Sequence, residues 1–286
     1  MTCTEDFCDT CEFAGACDLS CEMECNRYSD LDSDSDSHPI VNLNANSHWC
    51  ILLTSAITPS QSMSNTKRWS PNLRRREYER SINLWVQEFD AYSTKYPAGP
   101  LPSIVMVESS GASLSNFRKL VPKRWESKFE FVSFHNNHSA PTLGKGFAEF
   151  ESMKYAVENS KIMSSGDTGG CSHVVKITGR YCVKDMIGIL STFKEDVDLV
   201  LQSSPPKWQI RDGIVRSEVV GFKKPLLDFL FDEQDESVGL PMEYVLRFKG
   251  TALYNNKDSV SFFPILELAG GSSNVRDAGG RQVDNL

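Results

Sequence analysis

The sequence predicts an α/β fold, one domain built on a mixed sheet flanked by helices. Three observations carry that reading. Short aliphatic and β-branched runs alternate with stretches of helical periodicity over about 220 residues, the pattern of strands feeding crossover helices. The runs ILLTS, VMVESSG and KITGR each end in hydroxyls, an acid, Gly or Arg, as strands do when a polar crevice lies beyond their carboxyl ends. At 286 residues, with 40% apolar and 24% charged content, the chain is long enough to bury a full-sized core.

Charge is unevenly spread. The net charge is -8, but residues 1–40 hold eleven acids against the single base Arg27, so the remaining 27 acids and 29 bases leave the body at +2. A near-neutral body offers neither a nucleic-acid footprint nor a polybasic membrane patch. No apolar run reaches the roughly 18 residues that a membrane span needs, so no transmembrane segment is expected. The amino terminus has no basic, apolar leader, which predicts a cytoplasmic protein.

Residues 1–39 read as a disordered, acidic, Cys-rich tail and residues 40–286 as the folded domain. The tract SDLDSDSDSHP cannot bury enough apolar surface to offset its chain entropy. Cys8-x-x-Cys11 and two Cys-x-x-x-Cys spacings have the chemistry of zinc ligands. Only five residues separate Cys11 from Cys17, however, where a structural zinc module uses about a dozen or more. No metal site is assigned. Cys50, Cys171 and Cys182 of the body are odd in number and widely spaced, which predicts a reducing compartment and no disulfide framework.

The domain opens with HWCILLTSAITP, where Ile51, Leu52 and Leu53 form a strand and Thr54, Ser55 and Thr58 put hydroxyls at its exit. RRREYERSINLWVQEFDAY then sets Tyr78, Ile82, Trp85, Val86 and Phe89 on one helical face. Arg74, Arg75 and Arg76 open that helix against its dipole, either as a solvated cluster or to meet an anion near the first strand's exit. SIVMVESSG is a second buried strand, ending in Glu108, Ser109, Ser110 and Gly111, and FEFVSF is a third. His135 and His138 in the loop after it read as hydrogen-bonding residues in preference to metal ligands. Gly144-Lys145-Gly146 turns the chain into a helix whose apolar face includes Phe147, Phe150, Met153, Tyr155, Ala156 and Val157.

HVVKIT is the central strand, with Lys176 on the face opposite Val175, and Thr178-Gly179-Arg180 ends it. VKDMIGILSTF reads as a helix, VDLVLQS as a strand, WQIRDGIVRSEVVGF as a hairpin around Asp212-Gly213, and KKPLLDFLFDEQ as a helix. LPMEYVLRFKGTAL adds a late helix with Pro241 near its first turn.

The polar ends of the first, second and central strands converge on one sheet edge, where one nucleotide-sized site is expected. Gly179 lets the backbone approach a ligand and Arg180 can grip a phosphate or carboxylate at two points. Thr54, Ser55, Glu108 and Thr178 line the same edge. The Gly144-Lys145-Gly146 turn brings free amides, a cation and a helix dipole to one spot, which suits phosphate, though it is neither a Walker loop nor GxGxxG.

The order of these motifs resembles that of nucleotide-sugar-dependent glycosyltransferases of the GT-A type. The resemblance rests on ILLTSAITP, the Arg/Tyr-bearing helix, VMVESSG, GKGFAEFESMKYA, KITGRY, RSEVVGF and a helix entering as LPMEYV, within residues 50–270. It implies a GT-A-like, Rossmann-like sheet and transfer of a sugar from a nucleotide-sugar donor to a glycan or other hydroxyl acceptor. Such enzymes commonly end the central strand in Asp-x-Asp, which holds a divalent metal. Here Thr178-Gly179-Arg180 stands at that place, and Asp196-Val197-Asp198 precedes its strand where the motif should end one. The implied reaction therefore requires no metal cofactor, with Lys145, Lys176 and Arg180 neutralising the diphosphate, and Mn²⁺ or Mg²⁺ as the alternative. A general base is expected at Glu243, near the start of the late helix, or at Glu218 in RSEVVGF. Two other readings stay open. A nucleotidyltransferase would need metal-binding acids at strand ends, and a non-catalytic carbohydrate- or protein-binding module would need no base.

Overall fold

The computed structural model describes residues 48–58, 70–97, 99, 101–135, 140–164, 170–184, 189, 197–203, 215–230, 240–255, 260–263, 266 and 268–270, all within one compact unit. The tail expected at residues 1–39 and the Asp212-Gly213 turn lie outside them. Strands form where the aliphatic runs predicted them at β1 (Trp49–Ser55), β2 (Ser103–Glu108), β3 (Phe129–Ser133), β4 (His173–Thr178), β6 (Leu199–Ser203) and β7 (Val215–Lys223), and three short strands that were not expected, β5 (Tyr181–Val183), β8 (Val260–Phe262) and β9 (Leu268–Gly270), add to them. Seven of them make one mixed sheet in the order β3-β2-β1-β4-β7-β6-β8, and β5 pairs with β9 separately. β1 runs parallel to β2 and β4, and β2 parallel to β3, while β7 is antiparallel to both β4 and β6. The carboxyl ends of β1 to β4, the carboxyl end of β6 and the amino end of β7 therefore share one edge.

Each face of the sheet is covered because the strands alternate between two sets of apolar side chains. On one face Leu53, Met106, Ile177 and Val219 pack against α1 (Pro71–Lys95). That helix starts where Ser70 accepts from the Leu73 amide and Pro71 takes the first turn, and it buries Tyr78, Ser81, Ile82, Trp85, Phe89 and Tyr92. On the other face Leu52, Val105, Val174 and Leu201 pack against Phe150 and Met153 of α2 (Ala140–Asn159) and Val245 and Leu246 of α3 (Met242–Asn255). Trp85 and Phe89 are fully buried, so truncating either to Ala costs about 3–5 kcal/mol.

Two expectations are corrected. Val183 does not open a helix: Tyr181–Val183 is strand β5, because Ser81 Oγ and Trp85 Nε1 of α1 both donate to the Tyr181 carbonyl and β9 supplies a ladder partner. Of KKPLLDFLFDEQ, the described residues enter through a 3₁₀ turn at Lys224–Leu226 and turn helical at Leu227–Leu230, and residues 231–234 lie outside the described ones. The body cysteines are not all free. Cys50 on β1 and Cys171, just before β4, are joined by a disulfide at a Cα–Cα distance of 5.7 Å, because two neighbouring parallel strands start side by side. Cys182 is free and buried, and burial pushes its thiol well above the usual cysteine range, with Glu88 adding and Lys184 opposing. Among the described residues no helix is long and apolar enough to cross a membrane.

Candidate functional site

Two adjacent parallel strands, β1 and β4, start the site at the shared edge. Thr54 and Thr178 are register partners, and the chain leaves β4 through Gly179, whose amide donates to the Thr54 carbonyl at 2.8 Å. A Cβ at Gly179 would lie 2.7 Å from that same oxygen, so only glycine lets the two backbones approach this closely. Thr54 Oγ1 turns to the face carrying α2 and donates to Glu149 Oε1 at 2.7 Å, while Ser55 Oγ donates to the Val107 carbonyl at 2.9 Å.

Lys176 is the unusual member. Its side chain is fully buried, and its Nζ lies 2.6 Å from Glu149 Oε1. It also donates to Thr178 Oγ1 at 3.3 Å and to the Ser217 carbonyl, so all three ammonium protons have acceptors. The sequence placed Lys176 opposite Val175, and the two do lie on opposite faces, Val175 on the α1 side. What the sequence did not reveal was that this charge is taken up inside the protein.

The Ser217 carbonyl reaches Lys176 because β7 breaks register here. β6 pairs Leu201 with Val220 and then Gln202 with Arg216, so Ser217, Glu218 and Val219 bulge opposite a single step of β6. Such bulges re-aim side chains at sheet edges. Ser217 Oγ donates to Glu243 Oε1 in the first turn of α3, and Glu218 lies within electrostatic reach of Arg180. Both expected bases therefore come to the same edge, Glu243 on the Lys176 side and Glu218 toward Arg180.

Arg180 packs its guanidinium over the Tyr181 ring at 5.0 Å from the centroid. Burial works against its charge, but Tyr181, Tyr78 and Glu218 outweigh burial and hold the group above its already high value. Its Nε is buried with no hydrogen-bond partner, and so is Nε of Arg75. Arg74 is spent on the fold: its Nε donates to the Ala56 carbonyl and its Nη2 to the Tyr78 hydroxyl at 2.9 Å, which fixes the exit of β1.

Glu108 and the glycine turn stand differently. Glu108 is fully buried and accepts from the amides of Ile57 at 2.8 Å, Ser110 at 3.1 Å and Ala112 at 2.7 Å, and from the Ser110 hydroxyl. Its two oxygens hold the loops after β1 and β2 together. Gly144 departs from helical geometry at φ 88°, so α2 winds regularly only beyond it, with Lys145 next in the chain. Gly146 serves packing: a Cβ there would meet the Met242 amide nitrogen at 2.9 Å and the Leu240 carbonyl at 3.0 Å, where α2 abuts the entry to α3.

These groups do not fit a divalent cation. A buried ammonium lies beneath the end of β4, the Glu149 oxygen nearest it is engaged by Lys176 and Thr54, and Glu108 is saturated with N–H donors. Asp198 lies at the opposite edge, paired with Lys223 at 2.7 Å. Among the described residues no three His, Cys, Asp or Glu side chains cluster to hold a metal. Glu149 and Ser217 escaped sequence reasoning. For Glu149 a signal existed: it falls four residues before Met153 and seven before Ala156, on the stripe of α2 that packs inward.

No protein-family model matches the sequence, nor does any curated protein. Among solved structures, the chain is similar to HddC from Yersinia pseudotuberculosis complexed with GMP-PN, at 12% identity and a TM-score of 0.40, covering 78% of this chain and 93% of that one. It is also similar to the galactosyltransferase LgtC with donor and acceptor sugar analogues, at 8% identity and a TM-score of 0.40 over 74% of this chain and 72% of that one. The mannosyltransferase PcManGT from Pyrobaculum calidifontis in complex with GDP-Man and Mn²⁺ matches at 14% identity and a TM-score of 0.38, covering 86% of this chain and 64% of that one.

Proposed function

We propose that the chain transfers a sugar from a nucleotide-sugar donor to a hydroxyl of a glycan or other acceptor at the carboxyl edge of β1, β2 and β4. The observation that carries this reading is Arg180, a cation at the end of a central strand whose Nε is buried and unpartnered. A buried donor left unmade costs about 1–3 kcal/mol, and an anion bound at that edge relieves it. Arg75 Nε, in the first turns of α1, is in the same condition. A diphosphate suits such groups because guanidinium grips its oxygens at two points. The order of motifs along the chain is the second support.

In this reading Arg180 neutralises the diphosphate as the bond to the anomeric carbon breaks and the leaving oxygen takes the electron pair. Glu243, with Glu218 as alternative, takes the proton of the acceptor hydroxyl as its oxygen attacks. Lys176 contributes from beneath the site, since its protons are already committed. Lys145, at the start of the regular part of α2, remains a candidate second cation for the donor. No step runs through a metal.

The test is a thermal-shift screen of the full chain against nucleoside diphosphates and UDP- and GDP-sugars, with EDTA or Mn²⁺, for wild type and Arg180→Ala. One nucleotide sugar at 100 times its Kd stabilises the fold by about 2.7 kcal/mol. The expected shift survives EDTA and disappears in Arg180→Ala. A shift that needs Mn²⁺ overturns the metal-free donor site, and no shift with any nucleotide overturns the transferase reading.

A further inference from the structure

We infer that Glu149, Lys176 and Ser217 form a positioning relay that sets the Glu243 carboxylate, an inference that rests on the transfer reaction proposed above. The relay has a geometric basis in one broken ladder. Val219, opposite Ile177, is the first residue of β7 paired with β4, and the residues of β7 before it, Ser217 among them, have no partner on β4. Released from the ladder, the Ser217 carbonyl needs another donor, and Lys176 Nζ supplies it. The same turn of chain aims Ser217 Oγ at Glu243 Oε1. Glu149 Oε1 holds Lys176 in place at 2.6 Å and receives the Thr54 hydroxyl at 2.7 Å. One carboxylate of α2 and one ammonium thus join the ends of β1, β4 and β7, and Ser217 Oγ carries the connection to the first turn of α3.

The energetics favour position over stability as the product of this arrangement. A buried ion pair is often no better for stability than an apolar pair of equal volume, because desolvation offsets the attraction. What an apolar pair cannot do is donate to the Ser217 carbonyl and so keep the bulge in one conformation. A carboxylate that must meet an acceptor proton loses rate steeply when it drifts by about 1 Å.

The test measures kcat and donor KM by nucleoside diphosphate release from a panel of UDP- and GDP-sugars, using the full chain and Ser217→Ala, Ser217→Thr, Glu149→Gln and Glu243→Gln. Ser217→Ala should lower kcat about tenfold or more with donor KM unchanged, and Ser217→Thr, which keeps the hydroxyl, should restore most of it. Glu149→Gln should cost a similar factor, and combining it with Ser217→Ala should cost little more, because both act through one contact. If Glu149→Gln fails to fold, the Ser217 pair decides by itself. A wild-type kcat in Ser217→Ala beside an inactive Glu243→Gln overturns the relay and leaves the transferase standing. Equal losses in Ser217→Ala and Ser217→Thr also overturn it, and a wild type that releases no diphosphate from any donor removes both.

Discussion

Lys176 and Glu149 form an ion pair of 2.6 Å in which the lysine side chain is fully buried and the glutamate keeps 17% of its exposure. Breaking such a pair and replacing it are different experiments. Glu149→Gln leaves an ammonium without its counter-charge and should cost about 3–5 kcal/mol in urea denaturation, whereas Glu149→Gln with Lys176→Met should recover most of that loss. Equal losses for the single and double variants would mean the two residues do not interact.

Gly179 tests the closeness of β1 and β4. Gly179→Ala places a methyl 2.7 Å from the Thr54 carbonyl, which must move and strain the bond the glycine amide makes to it. The expected cost is about 1–3 kcal/mol in stability and, on the proposed transfer reaction, weaker binding of a nucleotide sugar as Arg180 is displaced. A variant as stable as wild type would show that the strand ends can separate freely.

His173 predicts a pH dependence. It stacks on Trp49 at 4.7 Å between ring centroids and interacts with the Ser172 hydroxyl, and burial, then Lys223, pushes its pKa below the usual histidine value, with Asp198 opposing. A depressed histidine contributes stability above its unfolded value of about 6.5, and that stability is lost as pH falls below it. The melting temperature should therefore fall as pH drops below about 6.5, and His173→Phe should flatten that part of the profile. An unchanged profile in the variant would assign the loss to other groups.

The disulfide predicts a redox dependence of stability. Cys50 and Cys171 close a loop with a sequence separation of 121, so the oxidised protein should be more stable than a Cys50→Ala/Cys171→Ala variant by about 2–4 kcal/mol. Intact-mass measurement without reductant should find these two cysteines blocked to alkylation and Cys182 reactive only after unfolding. Alkylation of Cys50 in the native, unreduced protein would contradict the bond.

Much of the fold was legible because it follows from periodicity. The aliphatic runs of β1, β2, β3 and β4 and the buried stripe of α1 report which side of an element meets water, and the polar residues Thr54, Glu108 and Thr178 report where the strands end. That determined the α/β class and set these strand ends on one edge. Periodicity says nothing about which partner a buried polar group will find. Thr54 and Glu149 are 95 residues apart, and Lys176 and Ser217 are 41 apart, so only the assembled sheet could join them. The register break in β7, the pairing of Cys50 with Cys171 and the conversion of Tyr181–Val183 to strand belong to the same class. Local composition sets which faces are apolar, whereas contacts between distant residues are settled by packing, and packing is where Lys176 ceased to be a free cation.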